Sequence, residues 1–292
     1  MLPEAEVVAY DLPIHPAEAM ALLREKCASD NPDLIIGTSM GGMYTEMLRG
    51  YDRILVNPAF EMGATMKEHN MMGKQTFFNP RQDGVQEFIV TKELVKEYRE
   101  MTQQCFTDIS DDDRQRVWGL FGMEDPVVHT FPLFSEHYPK ALRFHGEHQL
   151  TDSVTIHSLL PVIRWIDDHQ EGRMRESIFV SIETLRDNRG QLRSSVGKAL
   201  MMLTEYYDVR FIAPAPTNNP DSVASDIRWI EDAIGVIAYD RITLTNAPQT
   251  LYGDFLIATN PTKDFLGTGI EFGSDTFKTW EEIIVYFSRL NG

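Results

Sequence analysis

The run LIIGTSMGGMY, residues 34–44, constrains this chain more than any other stretch. An apolar segment leads into Gly-x-Ser-x-Gly, with Gly37, Ser39 and Gly41 at the fixed positions, and a second glycine follows at once. Such a pattern predicts a strand, a sharp turn and a helix, with the serine hydroxyl raised above the sheet at the turn. The backbone N–H of Met40 would then face the place where an oxyanion develops. Gly37 and Gly41 are expected to let helix and strand approach. The pentapeptide also occurs in tight turns selected only for packing. Its weight therefore comes from the strand before it and the helix pattern after it.

Around this turn the pattern alternates. Apolar runs at 6–10 (EVVAY), 33–39 and 53–59 (RILVNPA) read as buried strands, and 16–28 and 41–50 read as helices. Strands that are apolar throughout, separated by helices, predict a parallel sheet covered on both faces. Residues 61–86 are rich in Met, Gly, Asn and Pro and read as an irregular loop or lid, and the Met and Phe side chains of 57–80 line an acyl pocket or simply pack a lid. A helix is predicted over 91–106, strands near 116–128 and 141–152, and a helix over 156–170. The charged stretch 167–177 separates a second α/β set, with strands at 177–183, 208–216, 241–246, 253–260 and 269–273. Helices at 194–207, 222–235 and 279–290 alternate with them. The fold class is thus α/β, with two three-layer domains at 1–170 and 176–292.

If Ser39 is a nucleophile, it needs an acid and a histidine later in the chain. FGMEDPVV places Asp125 after an apolar strand, with Glu124 as its neighbour, and RFHGEHQL offers His148 in a later loop, with His145 as its rival. Asp125 is favoured because the turn into Pro126 aims it inward. It would fix the imidazole tautomer, and His148 would accept the serine proton.

With those residues in hand, residues 6–166 resemble the YqiA/YcfP-like esterases of the α/β-hydrolase superfamily. The resemblance rests on HPAEAMALL, NPDLIIGTSMGGMY, RILVNPA, FGMEDPVV and HGEHQL. It implies a triad of Ser39, Asp125 and His148, with small carboxylic esters as substrates. The family also opens with a strand ending in a His-Gly loop that supplies a second oxyanion donor, and EVVAYDLP matches the strand after that one. The resemblance therefore implies a missing donor and weak or absent esterase activity for the chain as it stands. A start placed too late, a strand supplied from elsewhere and lost activity remain open as explanations.

Residues 176–290 resemble the 5'-nucleotidase-like branch of the haloacid-dehalogenase-like (HAD-like) fold, most specifically in EFGSDTFKTWEEII. An active member carries Asp-x-Asp after its first strand, the first Asp attacking phosphorus. Ser181 and Glu183 stand there in this chain. Pro214 stands at the phosphate-binding hydroxyl, Pro248 at the phosphate-neutralising Lys, and Ala258 and Thr259 at the acidic pair that completes a Mg²⁺ site, with Asp254 upstream. The resemblance implies a pseudo-phosphatase with its fold kept and its chemistry lost.

Bulk properties narrow the rest. With 27 Lys and Arg against 44 Asp and Glu, the formal charge is −17, which disfavours nucleic acid and anionic membrane as partners. No apolar run reaches the ~20 residues of a membrane span, and the N-terminus lacks the pattern of a secretory signal. Two cysteines, Cys27 and Cys105, fit reduced thiols better than a disulfide framework. The expected setting is cytoplasmic, with no cofactor or metal and a small-molecule ester as substrate. Homo-oligomerisation is left open.

Overall fold

The computed structural model describes residue 2 and residues 5–77, 79–261 and 263–291. The chain folds as two compact units, Met1–Val154 and Thr155–Gly292. Both are mixed α/β with parallel sheets in three-layer arrangements, the fold class that the alternating pattern predicts.

In the first unit the main sheet contains β1 (Leu34–Thr38), β2 (Asp52–Val56), β5 (Val117–Gly122) and β6 (Lys140–Phe144), in the spatial order β1-β2-β5-β6, all parallel. Helix α1 (Pro16–Asp30) precedes β1, and α2 (Met40–Glu46) joins β1 to β2. The connection from β2 to β5 carries α3 (Met62–Glu68), an antiparallel hairpin of β3 (Gly73–Thr76) and β4 (Glu87–Val90), α4 (Lys92–Thr102) and α5 (Asp111–Gln115). Helix α6 (Phe131–His137) lies between β5 and β6. β2 is buried from Arg53 to Val56, as expected of a strand covered on both faces. Its Leu55 packs in a core with Met43, Tyr44, Leu94, Tyr98, Phe121 and Phe134.

Two expectations fail here. EVVAY (6–10) is not a strand; residues 5–13 have no regular structure, and Val7 is 88% exposed. An isolated apolar run gains a strand's hydrogen bonds only where a neighbouring strand accepts it, and none of the described strands does so here. β1 accordingly stands at the edge of the sheet. The segment 61–86 is not an irregular lid either. Phe60, Met62 and Met66 are buried in the core, and Gly73–Thr76 pairs with Glu87–Val90. The Met-rich composition hid a short amphipathic helix, since Met fills irregular core gaps as readily as it lines a pocket.

The glycines around Ser39 divide unevenly. A Cβ on Gly37 would stand 2.3 Å from the Thr45 hydroxyl oxygen and 2.4 Å from the Gly41 carbonyl oxygen, and one on Gly42 would stand 2.8 Å from Pro58 Cβ. Gly41, expected to serve the close approach, has nothing within 4 Å of such an atom. The approach is therefore carried by Gly37 and Gly42.

At the other end of β2 the fully buried Arg53 pairs through Nη2 with Asp113 Oδ2 at 2.6 Å and donates through Nη1 to the Glu46 carbonyl. The buried Glu46 carboxylate accepts from Arg49 Nη1 at 2.7 Å and from the Tyr138 hydroxyl, and Asp113 Oδ1 caps the Gly50 N–H at 3.0 Å. Burial and the adjacent Glu46 carboxylate push the Tyr138 phenol well above its ordinary range. This cluster ties α2, α5 and the helix before β6 to the base of the sheet.

α7 (Asp152–Val154) ends the first unit, a π-helical turn follows at Thr155–Leu159, and α8 spans Leu160–Gln170. The sequence reading closes the first domain with this helix, whereas α8 is part of the second compact unit. The Arg241 guanidinium lies 4.2 Å from the Trp165 ring centroid, and Arg164 pairs with Glu205 at 3.6 Å, so two side chains of α8 find partners there. The sheet contains β7 (Ser177–Ser181), β8 (Asp208–Ala213), β9 (Ile242–Leu244), β10 (Phe255–Ala258) and β11 (Thr268–Glu271), in the order β11-β10-β7-β8-β9, all parallel. Helices α9 (Ile182–Leu185), α10 (Val196–Tyr206), α11 (Pro220–Ile234) and α12 (Trp280–Asn291) complete it. Trp280, Ile283 and Phe287 of α12 are fully buried, so the aromatic spacing in this last helix serves the core. No helix of the described residues is long and apolar enough to cross a membrane.

Three variants, measured by urea titration, check these packing arguments. Gly37→Ala is expected to lower the unfolding free energy by about 1–3 kcal/mol through overpacking. Gly41→Ala should leave it unchanged or raise it by up to about 1 kcal/mol, because alanine is the better helix former. Equal losses from the two would refute the assignment. Asp113→Ala is expected to cost about 3–5 kcal/mol in the same urea titration, since it leaves Arg53 buried without its carboxylate.

Candidate active site

All four main strands of the first unit end on one side, and each loop after them contributes to one constellation. Ser39 follows β1 and holds φ 51°, ψ −118°, a region that costs a non-glycine residue roughly 1–3 kcal/mol. The turn is pinned by its own backbone: the Ser39 N–H donates to Val56 O at 2.9 Å, and the Ser39 carbonyl accepts from Ala59 N at 3.0 Å and Met43 N at 3.2 Å. Met40 is the first residue of α2, and an N–H in that position has no acceptor within its own helix.

Asp125 follows β5 and is buried. Its Oδ1 accepts from Val127 N at 2.7 Å and Val128 N at 3.0 Å, which leaves Oδ2 to meet His148 Nδ1 at 2.8 Å. His148 follows β6, and its Nε2 stands 2.9 Å from Ser39 Oγ. An ionised carboxylate only accepts, so Nδ1 carries the proton and Nε2 accepts from the serine hydroxyl. Ser39, His148 and Asp125 thus form one hydrogen-bonded line. The His148 side chain remains 22% exposed, and that of Asp125 is 1% exposed, so the line runs from the protein's surface into its interior.

The rival residues sort themselves apart. Glu124 and His145 pair with each other, Oε1 to Nδ1, at 3.4 Å, and both are exposed. Glu124 also accepts from the Gly146 N–H, which holds its carboxyl below the usual range.

Sequence reading missed one residue of this region, Asn57. It follows β2, is buried, and takes φ 44°. Its side-chain amide donates to the carbonyls of Glu147 and His148 at 3.1 and 3.0 Å, and its Oδ1 accepts from Gly122 N at 2.7 Å. The Asn-Pro step in RILVNPA was the available signal, because it marks a turn in which a short amide tolerates positive φ.

In the second unit the strand ends surround a cavity of about 320 Å³ lined by Ser181, Glu183, Pro214, Pro248 and Ala258 among others. Five of the six positions read as altered phosphatase residues thus converge on one place. The sixth, Thr259, reaches the same carboxylate, its hydroxyl 3.4 Å from Glu183 Oε1, while the Ser181 hydroxyl donates to Glu183 Oε2. Asp254 is not with them. It precedes β10 and accepts from Ser177 N at 2.7 Å and Ser177 Oγ at 3.1 Å, at the opposite end of the sheet. A four-residue strand puts roughly 13 Å between the two ends.

Residues 2–146 match the model of an uncharacterised protein family, UPF0227. This is a family of YcfP/YqiA-type esterase-like proteins. The match includes Ser39, Asn57 and Asp125 and stops two residues short of His148. A protein of Vibrio phage KVP40 (isolate Vibrio parahaemolyticus/Japan/Matsuzaki/1991), named "Putative 5'(3')-deoxyribonucleotidase", is 29% identical over 132 residues, covering 44% of this chain and 73% of its own length.

The buried Nδ1–H of His148 should give a far-downfield proton resonance. Asp125→Ala is expected to abolish it, and Glu124→Ala to leave it in place. Retention in Asp125→Ala would mean that the hydrogen bond to Asp125 is not what holds the imidazole.

Proposed function

We propose that the first unit hydrolyses small carboxylic esters through a covalent acyl-serine, and that the second unit is a phosphatase-like fold without phosphatase chemistry. The observation that carries the first reading is the line Ser39 Oγ–His148 Nε2–His148 Nδ1–Asp125 Oδ2, with steps of 2.9 and 2.8 Å. The match to an esterase-like family supports it.

The Ser39 oxygen attacks the ester carbonyl carbon while its proton passes to His148 Nε2. Asp125 holds the ring in the tautomer that can accept, and stabilises the imidazolium that forms. The new oxyanion faces the Met40 N–H. Collapse breaks the bond to the alcohol, which leaves with the proton from Nε2. Water then gives its proton to Nε2 and attacks the acyl-serine, and the return of that proton to Ser39 Oγ frees the carboxylic acid.

For the second unit the argument is the donor set. Phosphoryl transfer in the family it resembles uses an aspartate nucleophile, and hard Mg²⁺ asks for several oxygen ligands at once. The cavity offers one carboxylate, Glu183, already occupied by two hydroxyls, and two prolines where a hydroxyl and a lysine would meet phosphate. These residues do not fit a magnesium site, and no step is assigned to one. The named activity of the phage relative bears on ancestry, which accords with a fold retained after its chemistry was lost.

A fluorophosphonate probe should label wild-type protein at Ser39 and fail to label Ser39→Ala. The same substitution should cut hydrolysis of p-nitrophenyl acetate by about 10⁴-fold or more. An unlabelled wild type would overturn the esterase reading. Turnover of p-nitrophenyl phosphate that requires Mg²⁺ and survives Ser39→Ala would overturn the reading of the second unit.

A further inference from the structure

We propose that Asn57 is a positioning residue that sets His148 in register with Ser39, an inference that rests on the esterase reading for its catalytic consequence. β2 lies between β1 and β5 in the sheet, so the turn after it is the one loop with Ser39 on one side and the Asp125 and His148 loops on the other. Within four residues this turn holds both Ser39 and the backbone of His148. Val56 O and Ala59 N fix the Ser39 backbone, and the Asn57 amide fixes the backbone of His148 and of the residue before it. The turn is itself anchored: Asn57 N donates to Leu120 O at 2.9 Å, Asn57 Oδ1 accepts from Gly122 N at 2.7 Å, and the buried Thr130 hydroxyl donates to Pro58 O at 2.7 Å.

The chemistry demanded at this position is narrow. The side chain must donate twice to carbonyl oxygens and accept once from an N–H, which only a carboxamide does. It must be short, because φ is 44°, and Asn tolerates that conformation better than other non-glycine residues. The clearance is also tight. A Cβ on Gly122 would lie 2.5 Å from Gly146 O and 2.7 Å from Glu147 O, so the end of β5 is pressed against the histidine loop. Without the amide the half-buried carbonyls of Glu147 and His148 would lose this donor, and their repulsion would push the loop outward. A displacement of about 1 Å at a reacting group costs on the order of 10²-fold in rate.

Two variants test this. Asn57→Gly keeps the backbone conformation and removes the amide. Asn57→Asp keeps the acceptor for Gly122 N–H and sets a carboxylate against the two carbonyls. Both are measured by circular dichroism, by the downfield His148 proton, and by the fluorophosphonate labelling rate of Ser39 and the kcat and KM for p-nitrophenyl acetate at equal folded fraction. The expected result is a folded protein with the His148 resonance lost or broadened, labelling and kcat down by about ten-fold or more, and KM near wild type. A role confined to stability would lower the melting temperature alone. An unchanged resonance with wild-type labelling in either folded variant would overturn the proposal. If wild-type Ser39 never labels but its His148 resonance is present and vanishes in the Asn57 variants, the esterase reading falls and the positioning of His148 by Asn57 stands.

Discussion

The first unit depends on how closely α2 lies over the strands it joins. Gly37 and Gly42 leave no room for a side chain at the two points where helix and sheet meet, and the turn between strand and helix has to be sharp for that contact to form. The unusual backbone of Ser39 follows from this geometry. A residue at φ 51°, ψ −118° persists only where its surroundings over-determine it, and here three backbone hydrogen bonds from β2, α2 and the turn after β2 do so. The buried Arg53–Asp113 and Glu46–Arg49–Tyr138 contacts hold the other end of α2, so the helix is fixed at both termini.

Much of this was legible in the sequence because it is local. The strand–turn–helix signal at 34–44, the acid after an apolar strand and the histidine after the next one all depend on short stretches whose order along the chain mirrors their order across a parallel sheet. What was not legible depends on partners distant in sequence. EVVAY has the composition of a strand, but composition cannot say whether a neighbouring strand will accept it. The helix and hairpin between Met62 and Val90 were hidden because Met62, Gly63 and Met66, which the helix buries beside Thr65, are residue types that signal core and loop alike. Helix α8 reads as the end of one domain because it follows a hydrolase-like sequence, yet its Trp165 and Arg164 find partners in the second unit. Asn57 was invisible as a site residue, since a turn asparagine looks the same whether its amide meets water or two backbone carbonyls of a distant loop.

The two units illustrate opposite relations between fold and chemistry. In the first, residues separated by up to 109 positions come within hydrogen-bond distance, and the neighbours that might have substituted for them pair among themselves. In the second, the strand ends surround a cavity whose lining includes a serine, a glutamate already hydrogen-bonded, two prolines, two asparagines and an alanine. A parallel sheet supplies a crevice at its carboxyl edge whatever side chains line it. The crevice is therefore independent of the side chains that line it, and the fold alone carries no activity.

The long interval between Ser39 and His148 has a consequence during synthesis. At roughly 5–20 residues per second, a ribosome needs about 5–20 s to go from one to the other. The partners that pin the Ser39 turn, Val56 and Ala59, are made early in that interval, and the imidazole that meets its hydroxyl is made at the end of it. The hydrogen-bonded line can therefore be completed only after the last strand of the first sheet has been made.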